Sequence, residues 1–188
     1  MSVSLNRVKF LIVDDNAHAI NLVKAMLRGF GSDRLDDAQT IDAAKMRMRA
    51  NPADIVILDY MMGAEEGVTF ARWLRNDSDS PNQLVPIILL TGHADMTRIK
   101  AARDAGVNEF CTKPVTPADL MKRIVLVINQ PRSFVRSSTY FGPDRRRRDD
   151  PKYKGPEPQR PETQDLRAKA PSVDARERQS PANRPATV

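Results

Sequence analysis

The sequence predicts an α/β fold, a doubly wound five-stranded parallel sheet, and three observations lead there. Short β-branched apolar runs alternate five times with stretches whose apolar residues recur at helical spacing. The segment between each pair of runs is long enough for the helical crossover that parallel pairing requires. Four of the runs also end on polar residues: VKFLIV at Asp14-Asp15, IVIL at Asp59, VPIILL at Thr91, while NEFCT leads into Lys113-Pro114. In an open parallel sheet those residues leave one edge, where ligands of such sheets bind.

Residues 8–13 read as a buried strand, short, continuous and β-branched. A helix follows over 17–29 with Ile20, Val23 and Leu27 on one face, closed by Gly29 and Gly31. The acidic, weakly apolar stretch 34–38 suits an edge strand. Residues 40–50 form a helix with Thr40 as N-cap and Asn51-Pro52 as the stop. The pattern then repeats. A strand at 54–58 is followed by a loop that Gly63 and Gly67 make mobile, then a helix at 67–76 carrying Phe70, Trp73 and Leu74. A polar loop leads to a strand at 85–90 and a helix at 95–105 ended by Gly106. The last unit is a strand at 107–111 and a helix at 117–129, started by Thr116-Pro117. In that helix Leu120, Ile124, Val125, Val127 and Ile128 form the apolar face.

Charge divides the chain at Gln130. Residues 1–130 hold 16 Lys+Arg and 16 Asp+Glu, whereas 131–188 hold 14 against 8, which accounts for the net +6. Nine of the 14 prolines fall in that last stretch, and large apolar residues are few. Such a composition cannot offset the entropy of ordering. The reading is therefore a domain at 6–130 and a largely disordered Pro/Arg-rich tail at 131–188. The basic pI belongs to the tail. Cys111, the single cysteine, excludes an intrachain disulfide and is expected to be buried and inert. No apolar run approaches the roughly 20 residues of a membrane span, and residues 1–10 lack the pattern of a secretory signal. The expected location is the cytoplasm.

Three carboxylates, a hydroxyl and an amine at one sheet edge suit a divalent cation and phosphoryl chemistry. Clustered carboxylates repel, and a hard cation relieves that repulsion. Singly, Asp15 reads as a cap of the first helix, Asp59 as a loop acid and Thr91 as a cap of the fourth. Together, residues 6–130 resemble the receiver domain of two-component response regulators, the family of the chemotaxis response regulator. The resemblance rests on Asp14-Asp15, Asp59-Tyr-Met-Met62 with Gly67, Thr91 and Lys113-Pro114, each after its strand in the family's order.

The resemblance implies a flavodoxin-like strand order 2-1-3-4-5. It implies Asp59 as phosphoacceptor, with Mg²⁺ held by Asp14, Asp15, Asp59 and the backbone carbonyl of Met61. Lys113 and Thr91 would contact phosphate oxygens, and Phe110 would switch together with Thr91. The partners implied are a histidine kinase or histidine phosphotransfer protein and a downstream protein. The latter would dock on the face of the fourth helix, fifth strand and fifth helix; a phosphorylation-linked homodimer is left open. The protein would phosphorylate and slowly dephosphorylate itself with Mg²⁺ without being an enzyme for external substrates. Aspartyl phosphatases of the haloacid dehalogenase family place an Asp-x-Asp pair after the first strand, unlike the adjacent pair here.

Two positions depart from the family. Gly63 stands where proline is usual, and His93 follows Thr91-Gly92, near the expected phosphoryl site. His18 is expected at the surface. The tail contains no helix-turn-helix or zinc ligands, so no DNA-binding module is expected and the chain reads as a stand-alone receiver. Tyr140-Phe-Gly-Pro-Asp144 recurs as Tyr153-Lys-Gly-Pro-Glu157, which suggests a short linear motif for a partner. Arg145–Arg148 is flanked by Asp144, Asp149 and Asp150, which blunt its field. Arg132-Ser-Phe-Val-Arg136 and the arginine run faintly resemble receivers that bind cyclic di-GMP, so an anionic-ligand site in the tail is the alternative function.

Overall fold

A computed structural model describes residues 5–92 and 96–144. The main sheet contains β1 (Phe10–Val13), β2 (Leu35–Ala38), β3 (Ile55–Asp59), β6 (Ile87–Thr91) and β7 (Glu109–Thr112), all parallel, in the order β2-β1-β3-β6-β7. Counting these five alone, this is the expected 2-1-3-4-5 order. The helices are α1 (Ala17–Gly29), α2 (Ile41–Ala50), α3 (Val68–Asn76), α4 (Met96–Asp104) and α5 (Pro117–Asn129).

The sheet separates two apolar layers. On one face Leu11, Val13, Val56, Leu58 and Leu89 meet Met48 of α2 and Phe70 and Leu74 of α3. On the other, Phe10, Ile12, Ile57 and Leu90 meet Val23 and Leu27 of α1 and Leu120 and Ile124 of α5. Alternate residues of one strand serve opposite layers because strand side chains have period two. Every residue of β1, β3 and β6 is buried, which explains their unbroken apolar runs. The edge strand β2 is mostly half-buried and keeps its acids.

Local chemistry sets the helix ends. Thr40 caps α2 by accepting from Ala43 N, and Thr116 caps α5 ahead of Pro117. Gly31 and Gly106 both take φ +85 just past α1 and α4, a conformation that favours glycine. In α3, Phe70 and Leu74 are buried and Trp73 is half-buried, stacked on Phe70 at 5.8 Å. In α5, Val125 is half-buried while the other four predicted apolar residues are buried.

Two segments differ from expectation. The loop after Asp59 is a small antiparallel ladder of β4 (Met61–Met62) and β5 (Glu65–Glu66), turned by Gly63 at φ +65. Proline cannot adopt that angle, so the departure at position 63 belongs to this hairpin. In addition, the predicted boundary at Gln130 does not end the ordered chain. β8 (Phe134–Arg136) and β9 (Phe141–Pro143) form an antiparallel hairpin with Phe134, Val135 and Phe141 buried. Three apolar side chains that find a surface on the domain offset the ordering that composition averaged over 58 residues seemed unable to support. The Tyr153 repeat, Arg145–Arg148 and the rest of 145–188 lie outside the described residues, as does His93.

Candidate phosphoryl and metal site

β1, β3, β6 and β7 end side by side and deliver their polar residues to one edge. Asp14 follows β1, and its Oδ1 accepts from Asn16 N at 2.9 Å. Asn16, not Asp15, caps α1 by accepting from His18 N and Ala19 N. Asp15 is thereby released from the structural role open to it in the sequence, and it is exposed. Asp59 ends β3 and is 6% exposed; its Oδ1 accepts from Tyr60 N at 2.9 Å. Thr91 ends β6 and is buried. Its carbonyl accepts from Lys113 N at 2.8 Å, which ties the two strand ends together.

Lys113 Nζ lies 2.9 Å from Asp59 Oδ1 and 3.1 Å from Asp14 Oδ2. Carboxylate oxygens of Asp14, Asp15 and Asp59 all fall within 4.8 Å of one another. Burial pushes the Asp59 carboxyl above its usual range, against the opposing pull of Lys113. Burial also works against the Lys113 ammonium, but Asp59 and Asp14 outweigh it and hold its pKa above the ordinary lysine value. The site is thus two buried acids bridged by one ammonium, with a third acid open to solvent. Hard oxygen donors at this spacing fit a small divalent cation better than a soft one. The exposed Asp15 carboxylate leaves the cluster open to solvent at its rim.

The remaining predicted residues are placed more loosely. Met61 opens β4 directly after Tyr60, with its side chain 46% exposed. Phe110 is half-buried against the layer of α2 and α3 and pairs in register with Leu89 of β6. His18 is exposed on α1, and Cys111 is buried with its thiol pKa raised by burial.

Gly67 and Tyr60, which the sequence marked only as part of the motif after Asp59, also shape the site. Gly67 N donates to Tyr60 O at 2.7 Å, and a Cβ at Gly67 would lie 2.0 Å from Asp59 O. Only glycine lets α3 start this close to the acidic strand end. Tyr60 is buried, its hydroxyl bonds Glu66 Oε1 at 3.0 Å, and Arg98 of α4 lies over its ring at 5.3 Å. The Asp59–Met62 motif marked Tyr60 in the sequence, but its pairing with Glu66 and Arg98 appears only in the fold. Away from this edge, Arg136 stacks at 3.9 Å on Phe141 and donates to Gln83 Oε1. That arginine of the Arg132–Arg136 pattern, though exposed, is therefore engaged by Phe141 of the hairpin and by Gln83.

No helix among the described residues is long and apolar enough to cross a membrane. A family profile described as the response regulator receiver domain matches residues 10–125. Chemotaxis protein CheY-3 of Vibrio cholerae is 30% identical over 125 residues, covering 66% of this chain and 95% of that protein. The DNA-binding response regulator MtrA of Mycobacterium leprae is 31% identical over 121 residues, or 63% of this chain; the chain spans only half the length of that relative. Among solved structures, a response regulator from Chloroflexus aurantiacus superposes with TM-score 0.60 at 26% identity, covering 65% of this chain and 98% of its own. The receiver domain of sensor histidine kinase PA1611 from Pseudomonas aeruginosa, solved with magnesium in its active-site cleft, gives 0.56 at 25% identity, covering 63% and 94%.

Proposed function

The chain belongs to the response regulator receiver domain family, and on that premise we propose that it accepts a phosphoryl group on Asp59 from a histidine kinase or histidine phosphotransfer protein. The observation that carries this is the Asp14–Lys113–Asp59 bridge with Asp15 beside it. A carboxylate nucleophile, a compact cation and a solvent-open acid at the rim are the parts a phosphoryl transfer to carboxylate needs.

Asp59 Oδ1 already accepts from Lys113 and Tyr60, so Oδ2 is assigned the attack. Its bond to phosphorus forms as the phosphorus–nitrogen bond of a phosphohistidine breaks, and the imidazole leaves. Burial makes the Asp59 oxygen more basic than a solvated carboxylate, which favours it as a nucleophile. Lys113 then turns its ammonium from Asp59 to a phosphate oxygen, and the Thr91 hydroxyl donates to another. Asp14, Asp15, Asp59 and the Met61 carbonyl would hold Mg²⁺, which when bound neutralises charge spreading over the transferred group. The magnesium in the PA1611 receiver supports that choice of ion. The same site would phosphorylate itself from a phosphodonor, whose leaving group departs as the Asp59–phosphorus bond forms, and would slowly dephosphorylate itself as water attacks phosphorus, releasing inorganic phosphate and restoring the Asp59 carboxylate.

The output proposed is a change in protein contacts. Thr91 drawn toward phosphate would move with Phe110, altering the face of α4, β7 and α5, where Arg123 of α5 pairs with Glu109 of β7 at 3.1 Å. A downstream protein or a second copy would read that face, in the cytoplasm, with the domain acting as a single-domain regulator. Phosphate-affinity electrophoresis with a cognate kinase and Mg²⁺ tests the assignment. A retarded band is expected for wild type and none for Asp59→Ala; a band that persists in the variant refutes it.

A further inference from the structure

Helix α4 is thinly held. Among its described residues Ala102 alone is buried, and Met96 at its start is 76% exposed. The C-terminal turn of α4 rests instead on a side chain of α3. Arg75 is 0% exposed. Its Nε donates to Gly106 O at 3.0 Å, Nη1 to Gln83 O at 2.8 Å, and Nη2 to Val85 O at 2.8 Å and Asn108 Oδ1 at 3.0 Å. Asn108 Oδ1 also accepts from Ile87 N. One guanidinium thus joins α3, the turn after α4 and the starts of β6 and β7, the strands whose far ends carry Thr91 and Lys113. No carboxylate among the described residues forms an ion pair with it, and burial lowers its pKa to about 9.

The C-terminal hairpin closes this node. The Phe134 ring lies 5.1 Å from the guanidinium carbon, and both Phe134 and Phe141 are buried. Gly142 presses on Gly106: a Cβ at Gly142 would lie 2.9 Å from Gly106 Cα and 2.5 Å from the Tyr140 hydroxyl oxygen. Tyr140 fixes the turn by donating to Pro143 O at 2.8 Å. The Tyr-Phe-Gly-Pro motif therefore has a place in the fold, with each residue contributing to one seat. Hydrogen bonds shut away from water are electrostatically stronger than exposed ones, so the cover determines how firmly Arg75 grips the turn.

We propose that the β8–β9 hairpin is a strap that holds the C-terminal turn of α4 in its resting position through Arg75 and Gly106. The tail thereby restrains the helix that phosphorylation moves. This rests on the reading of Asp59 as phosphoacceptor and of α4 as part of the switching face. A contact that favours the resting arrangement opposes the phosphorylated one, and loosening it shifts the population toward the latter.

The test uses the full chain with Phe134→Ala and Gly142→Ala, and Ser138→Ala at the exposed hairpin tip as a control. The amides of Ala105, Gly106 and Val107 donate within the last turn of α4. They are expected to exchange hydrogen about tenfold faster in the two strap variants, with β1 and β3 amides unchanged, because local opening is cheaper than global unfolding. Beryllofluoride with Mg²⁺, a phosphoryl mimic, is expected to bind the strap variants several-fold more tightly than wild type or Ser138→Ala. Unchanged exchange at 105–107, or equal or weaker beryllofluoride binding, overturns the strap. Failure of wild type itself to bind beryllofluoride refutes the acceptor reading instead, and removes the link to switching.

Discussion

Replacing Gly67 with alanine should damage both the fold and the phosphoacceptor. Gly67 has φ −56, an ordinary angle for any residue, so conformational freedom is not at stake. Space is. The added Cβ would sit 2.0 Å from Asp59 O, 3.1 Å from Leu58 Cδ1 and 3.2 Å from Asp59 C, where ordinary contacts run 3.4–4 Å. Two of these three neighbours are backbone atoms of a buried central strand, so relief demands that α3 and β3 separate by over about 1 Å. Overpacking of that kind costs about 1–3 kcal/mol. At about 2–8 °C per kcal/mol for domains across this size range, Tm should fall by about 2–24 °C. The shift is applied to the acceptor residue itself, and a misplacement of about 1 Å can slow a positioned reaction about 10²-fold. Circular dichroism melting and the rate of phosphorylation by a partner kinase measure the two effects. Gly29→Ala is the matched control, because its Cβ meets nothing within 4 Å at a helical position where alanine is favoured by up to about 1 kcal/mol. A Gly67→Ala protein that melts with wild type and is phosphorylated at the same rate would refute this account of the close approach.

Other substitutions probe the charges. Asp59 has its pKa raised in the fold, so its contribution to stability is fully present below the unfolded carboxylate value and is lost as pH rises through the folded value. Asp59→Asn should therefore raise Tm at pH 7 in chelator, and the gain should vanish as pH is lowered below that range, followed by melting at stepped pH. Added Mg²⁺ should raise the Tm of wild type progressively with concentration, as ligand binding to the folded state requires, and raise that of Asp59→Asn far less. Arg75→Met leaves Gly106 O, Gln83 O and Val85 O without the donors Arg75 supplies, and leaves Asn108 Oδ1 with Ile87 N alone. Each buried acceptor left unpaired costs about 1–3 kcal/mol, so a loss of at least that size is expected, read from chemical denaturation.

The receiver fold was legible because its determinants are local and periodic. Fully buried strands must read as unbroken apolar runs, and helices between them must keep one apolar face; Phe10–Val13 and Ile20, Val23 and Leu27 do both. The acidic site was legible for a related reason: Asp14, Asp59, Thr91 and Lys113 stand at strand ends, and a parallel sheet gathers its strand ends at one edge. Their convergence depends on topology more than on side-chain detail.

What escaped the sequence depends on three-dimensional geometry, local in two cases and between distant segments in the third. Asn16 rather than Asp15 caps α1, because backbone geometry decides which of two adjacent polar side chains reaches the free amides. Gly63 read as a source of mobility, and the fold uses its positive φ to turn a hairpin. Residues 131–188, weighed together, looked too polar and proline-rich to order, yet Phe134 and Phe141 are buried, with Phe134 on Arg75 of α3 and Gly142 of the hairpin against Gly106 after α4. Composition weighs a segment against water alone; the tertiary structure supplies the surface on which a few apolar residues can be buried.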